Sequence, residues 1–305
     1  MKGENLKNIS VKSLVRAIFK FCLVTFFYCY SVLGLTIIRD SEIENVIYDI
    51  AEPIIKVASL TSPLKIFIID DDSLNAFVVQ GSEMYIHTGL IKKFPDPDVL
   101  RGVIAHEIGH ITGNHIVRQT MDQADISGIA LSSIAVGMAS AVAGSPELAG
   151  AAIYGGLNYN MRSAFKYSRI YESSADQAGL NYLETTGHSA IGLEKLLTYF
   201  HSREHLPEAL TPYDLTHPMS SERLSVIRDF IQKSKLKQSQ NNIDLVRRYQ
   251  QVVIKIKAFT ENYDSILAEY KYQKNDHALY AQAIANFRAN NLQAAIENID
   301  KLIAR

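Results

Sequence analysis

Residues 103–113, Val-Ile-Ala-His-Glu-Ile-Gly-His-Ile-Thr-Gly, contain the pattern on which the interpretation of this chain depends. His106 and His110 are four residues apart, so on a helix their side chains project from one face on successive turns. Two imidazoles at that spacing can bind one zinc ion. Glu107 is turned about 100° from His106, where its carboxylate can take a proton from an attacking water. The pattern therefore predicts a zinc site with Glu107 as its general base.

The residues around this pattern are those of a buried helix. Asp96 is a candidate N-cap, Pro97 suits the first helical position and Gly113 follows the last turn. The positions beside the three polar side chains are apolar, namely Val103, Ile104, Ile108 and Ile111. Burying three ionisable groups in such surroundings costs free energy unless they are paired or bind a metal. A pair of hydrogen-bonded core histidines is the alternative interpretation.

Two histidines leave a catalytic zinc site one protein ligand short. Glu172 and Asp176 are four residues apart on a predicted helix, so both side chains can face the site. This spacing alone is typical of a solvated helix face, but beside the histidine pattern it predicts Glu172 as the third ligand. Asp176 is then expected to accept a hydrogen bond from the free ring nitrogen of a ligating histidine. His115 lies five residues after His110, off the ligand face, and is expected at the surface or in support of a ligand.

These residues resemble those of the gluzincin peptidases, specifically the family of the CAAX prenyl proteases and the HtpX proteases. Further matches are Arg39-Asp-Ser-Glu-Ile-Glu44, Asn75-Ala76-Phe77, Thr88-Gly89-Leu90, and Thr216-His217-Pro218 with Arg223. The layout is most similar to the periplasmic BepA-type branch. The resemblance implies one zinc ion per chain, bound by His106, His110 and Glu172, and proteolysis of misfolded or stalled envelope proteins.

The resemblance also gives roles to residues outside the metal-binding pattern. Asn75, Ala76 and Phe77 are expected on an edge strand to which an extended peptide can add, although a plain sheet strand is the alternative. His217 and Arg223 are expected near the open coordination position, where either one can stabilise the oxyanion. His217 either stabilises the oxyanion, occupies that position and keeps the enzyme latent, or is a structural loop residue. The chain departs from the family at Gln80-Gly81-Ser82, where other members commonly carry Pro-Gly-Gly.

The N-terminus has a basic head followed by an apolar run at residues 21–38. This pattern predicts an export signal in residues 1–34, while retention as an inner-membrane anchor and an ordinary buried helix are the alternatives. Both cysteines, Cys22 and Cys29, lie in the run, so disulfides and thiolate ligands are not expected in the body of the protein. The formal net charge of −1 gives no indication of a nucleic-acid surface.

The order of predicted elements indicates a mostly helical α+β fold, with a small sheet beside the histidine-bearing helix, as in zincin-type peptidases. We expect a metallopeptidase domain over residues 35–240 and a helical tail over 241–305. Within the tail, residues 277–303 resemble a tetratricopeptide unit, and an ordinary helical hairpin is the alternative. The expected location is the periplasm. The expected partners are unfolded or misassembled proteins and, through the tail, the outer-membrane assembly machinery. A chaperone or adaptor with latent protease activity, which binds clients through the tail, is the alternative function.

Overall fold

The computed structural model describes residues 36–79, 82–119, 121, 132, 135–136, 168–203, 212–218, 220–239 and 241–305. The predicted export or anchor segment, residues 1–34, lies outside these ranges, as do Gln80 and Gly81 of the predicted turn. Among the described residues, no helix is both long and apolar enough to cross a membrane.

The strands form one small mixed sheet in the order β1-β2-β4-β3. Their bounds are β1 Ile37–Ile38, β2 Lys65–Ile69, β3 Ala76–Val79 and β4 Glu83–His87. β2 pairs with β1 in antiparallel fashion and with β4 in parallel, and β3 pairs with β4 in antiparallel fashion. Within the part of the chain that the structure describes, β3 is the last strand of this sheet, so its outer side is an edge, as expected for the segment around Phe77.

Most of the described chain is helical, which confirms the expected fold class. The helices are α1 Ser41–Ala58, α2 Thr88–Lys93, α3 Pro97–Thr112, α4 168–185, α5 Ile191–His201, α6 Pro212–Thr216, α7 Ser221–Lys233, α8 Ile243–Thr260, α9 Tyr263–Tyr270, α10 Asp276–Arg288 and α11 Leu292–Ile303, with a further helical segment at 115–119.

The histidine-bearing helix α3 has the predicted boundaries. The side chain of Asp96 accepts a hydrogen bond from the backbone N–H of Asp98, Pro97 occupies the first helical position, and Gly113 is the C-cap. The helix is buried almost throughout and packs against α1 and α5. A helix surrounded in this way can hold charged side chains only where other groups compensate them, so its polar residues mark the site.

Helices α3 and α4 approach closely at the site. A Cβ atom on Gly109 would lie 2.6 Å from the carbonyl oxygen of Ala175, so any larger residue at position 109 would push the helices apart. Ala175 lies between Glu172 and Asp176 on α4. The glycine within the His-Glu-Ile-Gly-His sequence therefore lets α4 bring both carboxylates up to the histidines.

The core of the described residues consists of two apolar clusters. The main cluster includes α1, the sheet and α3, and helix α8 contributes Tyr249, Val252 and Ile256 to it. A smaller cluster joins the other face of α8 to α9 and α10, for example through Ala258, Ile266 and Ala281. The last two helices, α10 and α11, form a hairpin that turns at Asn290, as predicted. Its assignment as a tetratricopeptide unit stays a prediction.

Candidate metal centre and active site

Four buried side chains, His106, His110, Glu172 and His217, point their donor atoms at one another, all within 4.8 Å. The Nε2 atoms of His106 and His110 are 3.1 Å apart. The carboxylate of Glu172 spans them, with Oε2 3.3 Å from His106 Nε2 and Oε1 3.2 Å from His110 Nε2. The structure therefore brings the three predicted ligands together, and His217 joins them as a fourth.

The donor set suits zinc. Imidazole nitrogens and a carboxylate oxygen are the ligands that zinc takes in catalytic sites. Burial lowers the pKa of His106, but hydrogen bonds and charges from Asp176 and Glu172 outweigh burial and raise it to about 10. The carboxylates thus favour a cation at this point of α3. Burial lowers the pKa of His110 to about 3, so this imidazole is neutral, which is the form that binds a metal.

Asp176 lies behind His106, on the side away from the other ligands. Its Oδ1 atom is 2.8 Å from His106 Nδ1, an ion-pair contact that favours a proton on Nδ1, although the N–H does not meet the angle of a good hydrogen bond. Asp176 thus lies where the four-residue spacing from Glu172 predicts it, and its support of a metal ligand stays a prediction. Such support would fix both the tautomer and the orientation of the ring.

Arg223 lies between the two carboxylates of α4. It donates from Nε to Asp176 Oδ2 at 2.7 Å and from Nη2 to Asp176 Oδ1 at 2.9 Å, while Nη1 is 2.8 Å from Glu172 Oε2. Nη1 also donates to the Pro218 carbonyl at 3.1 Å. Burial raises the pKa of Glu172, but the charges of His217 and Arg223 and the histidine hydrogen bonds hold it well below its usual range. Arg223 thus keeps Glu172 ionised and in place.

Glu107 is fully buried beside this group. Burial raises the pKa of its carboxyl, against the charges of His217 and His106, which lower it. His217 Nε2 is 3.2 Å from Glu107 Oε1, but neither oxygen of Glu107 has a hydrogen-bond partner of good geometry among the described residues. A carboxylate in this state is available to accept a proton from a group in the cleft.

His217 contacts both the metal-binding group and the edge strand. Its Nδ1 atom is 3.2 Å from Glu172 Oε1 and 3.3 Å from His106 Nε2. Its Nε2 atom is 3.2 Å from the carbonyl oxygen of Ala76 and donates to it, while Nδ1 faces the group. The ring of Tyr213 packs on it with centroids 4.5 Å apart.

A cleft of about 320 Å³ opens beside the group, and it is lined by Phe77, Val78, Ile116, Tyr171, Glu107 and His110, among others. Of the three predicted substrate-binding residues, Phe77 borders this cleft. The Ala76 carbonyl is engaged by His217, and Asn75 precedes β3, with its side chain 3.4 Å from Thr216 Oγ1. The edge strand and the zinc-binding group therefore border the same space.

Residues 38–231 match peptidase family M48. The chain belongs to this family. Peptidases of this family depend on zinc, which agrees with the donor set described above.

Relatives in the M48 family include proteases of bacteria and of mitochondria. The beta-barrel assembly-enhancing protease of Escherichia coli (strain K12) is 32% identical over 179 residues, which cover 56% of this chain and 35% of the relative. A putative beta-barrel assembly-enhancing protease of Vibrio cholerae is 27% identical over 194 residues, 63% of this chain and 40% of the relative. The mitochondrial metalloendopeptidase OMA1 of Schizosaccharomyces pombe is 24% identical over 173 residues, 57% of this chain and 48% of the relative. The chain thus matches less than half the length of each of these relatives.

Sequence reasoning missed one aromatic residue of the site and described one histidine incompletely. Tyr213, fully buried on α6, packs between Phe200 and His217. No local sequence pattern predicts a role for Tyr213, because only the fold brings its two ring partners next to it. His115 is buried against His110, although its position beyond α3 indicated a direction away from the ligands. The Gly-Asn pair before His115 is a signal for a turn that could have suggested this.

Proposed function

We propose that this chain is a zinc-dependent endopeptidase, with His106, His110 and Glu172 as the metal ligands. The observation that supports the proposal is the buried carboxylate of Glu107, which lies beside this group and next to a cleft bordered by an edge strand. A zinc ion bound there would act as a Lewis acid toward the scissile carbonyl and would acidify the attacking water. The remaining requirements of peptide hydrolysis fall on the protein's own side chains.

Glu107 is proposed as the general base and acid. It would take a proton from the attacking water and deliver it to the leaving amine. The burial that raises its pKa suits the second step, because it makes the protonated carboxyl less costly to form. Backbone groups of β3 would hold the substrate as an added strand, with Phe77 at the wall of the cleft.

Arg223 is proposed as a positioning residue. The sequence-based hypothesis placed it near the oxyanion, but its guanidinium is engaged by Asp176, Glu172 and the Pro218 carbonyl. It would act through these carboxylates, by fixing the third ligand and the aspartate that supports His106.

His217 is proposed as a fourth ligand that keeps the site latent. Its Nδ1 atom lies beside the donor atoms of His106 and Glu172, where it could bind the same ion, and this placement favours the role of ligand over oxyanion stabilisation. Its Nε2 atom donates a hydrogen bond to the Ala76 carbonyl on the edge strand. A peptide that adds to β3 would compete for that carbonyl, so substrate binding would loosen the hold on His217.

The decisive test of the catalytic assignment is Glu107→Gln. We expect near one zinc ion per chain in both wild type and variant, and a loss of casein cleavage of at least about 100-fold in the variant, since general-base catalysis contributes that much. Glu52→Gln, at an exposed glutamate of α1, is the matched control and should cleave like wild type. A fully active Glu107→Gln protein would overturn the role of Glu107, and a wild type without zinc would overturn the metal site.

We propose that the substrates are misfolded or stalled envelope proteins and that the chain acts in the periplasm. The support is the similarity to relatives named beta-barrel assembly-enhancing proteases and the export pattern of residues 1–34. Fractionation of cells that produce the native chain tests the location: release with the periplasmic fraction is expected. Recovery only in carbonate-resistant membranes would instead favour the anchored form.

A second candidate function is client binding by the helical tail. The observation that favours it is an apolar cleft of about 330 Å³ on helices α8, α10 and α11, lined in part by Phe259, Phe287, Leu292, Ile296 and Ile299, all of them exposed. Exposed apolar patches of this kind are typical of sites that bind protein segments. The cleft offers shape and hydrophobicity but little polar specificity, which suits unfolded chains.

The tail hypothesis is tested in the Glu107→Gln background, where clients are not degraded. Replacing Phe287 and Ile296 by serine should weaken binding of an unfolded protein severalfold. Tyr272→Ser, at another exposed aromatic residue of the tail, is the matched control and should leave binding unchanged. Equal binding by all these proteins would remove the apolar cleft as a client site.

A further inference from the structure

The geometry points to a positioning residue whose role the sequence left open: we infer that His115 holds His110 in the orientation and tautomer that a metal requires. The inference rests on the proposed zinc site. It concerns the support of one ligand, and it is separable from the catalytic role of Glu107.

The contact between the two rings defines the direction of the hydrogen bond. His115 Nδ1 lies 3.0 Å from His110 Nδ1, while His110 Nε2 faces His106 and Glu172 at 3.1 and 3.2 Å. A neutral imidazole that offers the Nε2 lone pair to a metal carries its proton on Nδ1. His110 Nδ1 is therefore the donor, and His115 Nδ1 is the acceptor.

The backbone at Gly113 and Asn114 positions the His115 ring beside His110. Asn114 has φ = 53°, a left-handed conformation that turns the chain back after α3. Gly113 has φ = −72°, which any residue can adopt, so the backbone conformation does not explain the glycine. A Cβ atom at position 113 would lie 2.1 Å from His115 Nε2, so the absence of a side chain makes room for the ring.

A second wall of the same pocket comes from helix α4. The ring of Tyr171, next to the ligand Glu172, lies over His115 with centroids 5.0 Å apart and planes inclined by 32°. His115 is only 3% exposed. Between Gly113 and Tyr171, the imidazole places its Nδ1 atom against His110.

The two ligating histidines of α3 thus receive different support. Asp176 supports His106 through a carboxylate, which is a charged acceptor, whereas His115 offers His110 an uncharged one. An uncharged acceptor adds less basicity to the ligand than a carboxylate does, so its main effect is on orientation. Loss of such a partner typically weakens metal binding about 10–100-fold.

The test compares zinc affinities measured by competition with a chromophoric chelator. His115→Leu removes the acceptor and should weaken zinc binding about 10–100-fold. His115→Asn keeps an acceptor oxygen close to the position of Nδ1 and should restore most of the affinity. As a readout independent of activity, the visible spectrum of the cobalt-substituted protein should change in His115→Leu and return toward that of wild type in His115→Asn.

Two further variants keep the test decisive if His115→Leu fails to fold. Gly113→Ala removes no polar side chain, but its methyl group would displace the His115 ring. Zinc binding should therefore weaken, as in His115→Leu. His188→Leu replaces a half-buried histidine outside the site and should leave the affinity unchanged.

The outcomes separate this inference from the proposed function. Zinc binding and a cobalt spectrum unaffected by His115→Leu would overturn the role of His115 while leaving the zinc site standing. Equal weakening in His115→Asn and His115→Leu would also overturn it, because packing rather than the acceptor would then be what matters. A wild type that binds no zinc would overturn the proposed function itself.

Discussion

His217 is the residue whose contacts bear most directly on how the site is controlled. It engages the donor group through Nδ1 and the edge strand through Nε2. If it is a fourth ligand, His217→Ala should cleave an unfolded protein severalfold faster than wild type, because the coordination position and the Ala76 carbonyl are both freed. The measurement is the initial rate of casein digestion with zinc content determined in parallel. A fall in kcat at unchanged zinc content would instead identify His217 as the oxyanion donor.

Arg223 compensates two buried carboxylates, so its removal should be costly. Breaking a buried ion pair by removing one partner typically lowers the free energy of unfolding by about 3–5 kcal/mol. We expect Arg223→Met to lose about that much in urea unfolding of the metal-free protein and to bind zinc less tightly. Arg228→Met, which breaks an exposed pair with Glu194, is the control and should cost less than about 1 kcal/mol. Similar losses in both variants would contradict the positioning role.

The residues of the site divide by whether their partners are local in sequence. His106, Glu107 and His110 are related by helix geometry, as are Glu172 and Asp176, so spacing alone placed each set on one face. That the two sets meet depends on the packing of α4 on α3 at Gly109, which no local pattern encodes. Only the resemblance to a family suggested His217 and Arg223, and Tyr213 was not foreseen at all, since its contacts are made through space.

At the scale of elements, the start of α1 shows how a local pattern can mislead by one residue. From the sequence, Ser41 is a plausible N-cap because serine is a preferred cap residue, but the carboxylate of Asp40 accepts from the backbone N–H groups of Glu42 and Ile43. Asp40 also binds Lys255 of α8, a partner that sequence spacing does not reveal. An aspartate that can serve both contacts displaces the serine from the cap position. The parallel pairing of β2 with β4 was likewise not predicted, because strand order depends on contacts distant in sequence.

The assignment of Asp40 predicts the effect of two neighbouring substitutions. Asp40→Ala should lower the free energy of unfolding by about 1–2 kcal/mol, from the lost cap and the partly exposed ion pair. Ser41→Ala, at the first helical position, should change it by less than about 0.5 kcal/mol. Urea unfolding near neutral pH makes the comparison. A larger loss in Ser41→Ala would restore the serine as the cap.

The same carboxyl has a defined dependence on pH. Burial raises the pKa of Asp40, but Lys255 and two backbone N–H groups outweigh burial and lower it below its ordinary value. A pKa lowered on folding adds stability above the ordinary value of about 3.9, and that stability is lost as the pH falls through the folded pKa. The difference between wild type and Asp40→Asn should therefore be constant from pH 5 to 7 and shrink below about pH 4. A difference that grows in acid would contradict this assignment.

At the scale of the whole molecule, helix α8 decides where the peptidase body ends. The sequence placed the boundary at residue 240, before α8. The structure packs α8 on α1 and α2, and its Tyr249, Val252 and Ile256 are buried in the main cluster. Lys92 of α2 also donates to Thr260 Oγ1, at the end of α8. From these contacts we predict that the separable tail begins only after Glu261.

Two shortened chains test this. A chain that ends at Gln240 lacks four buried side chains of the main cluster, Tyr249, Val252, Val253 and Ile256. It should fail to fold cooperatively, since each such loss costs about 2–5 kcal/mol and a domain has only about 5–15 kcal/mol in total. A chain that ends at Glu261 keeps them, loses only the smaller cluster, and should retain cooperative thermal unfolding and zinc binding. If both shortened chains fold and bind zinc, α8 is dispensable to the body and the boundary at 240 stands. If neither folds, α9 to α11 belong to the same cooperative unit as the zinc site, and the tail then acts on clients only as part of that unit.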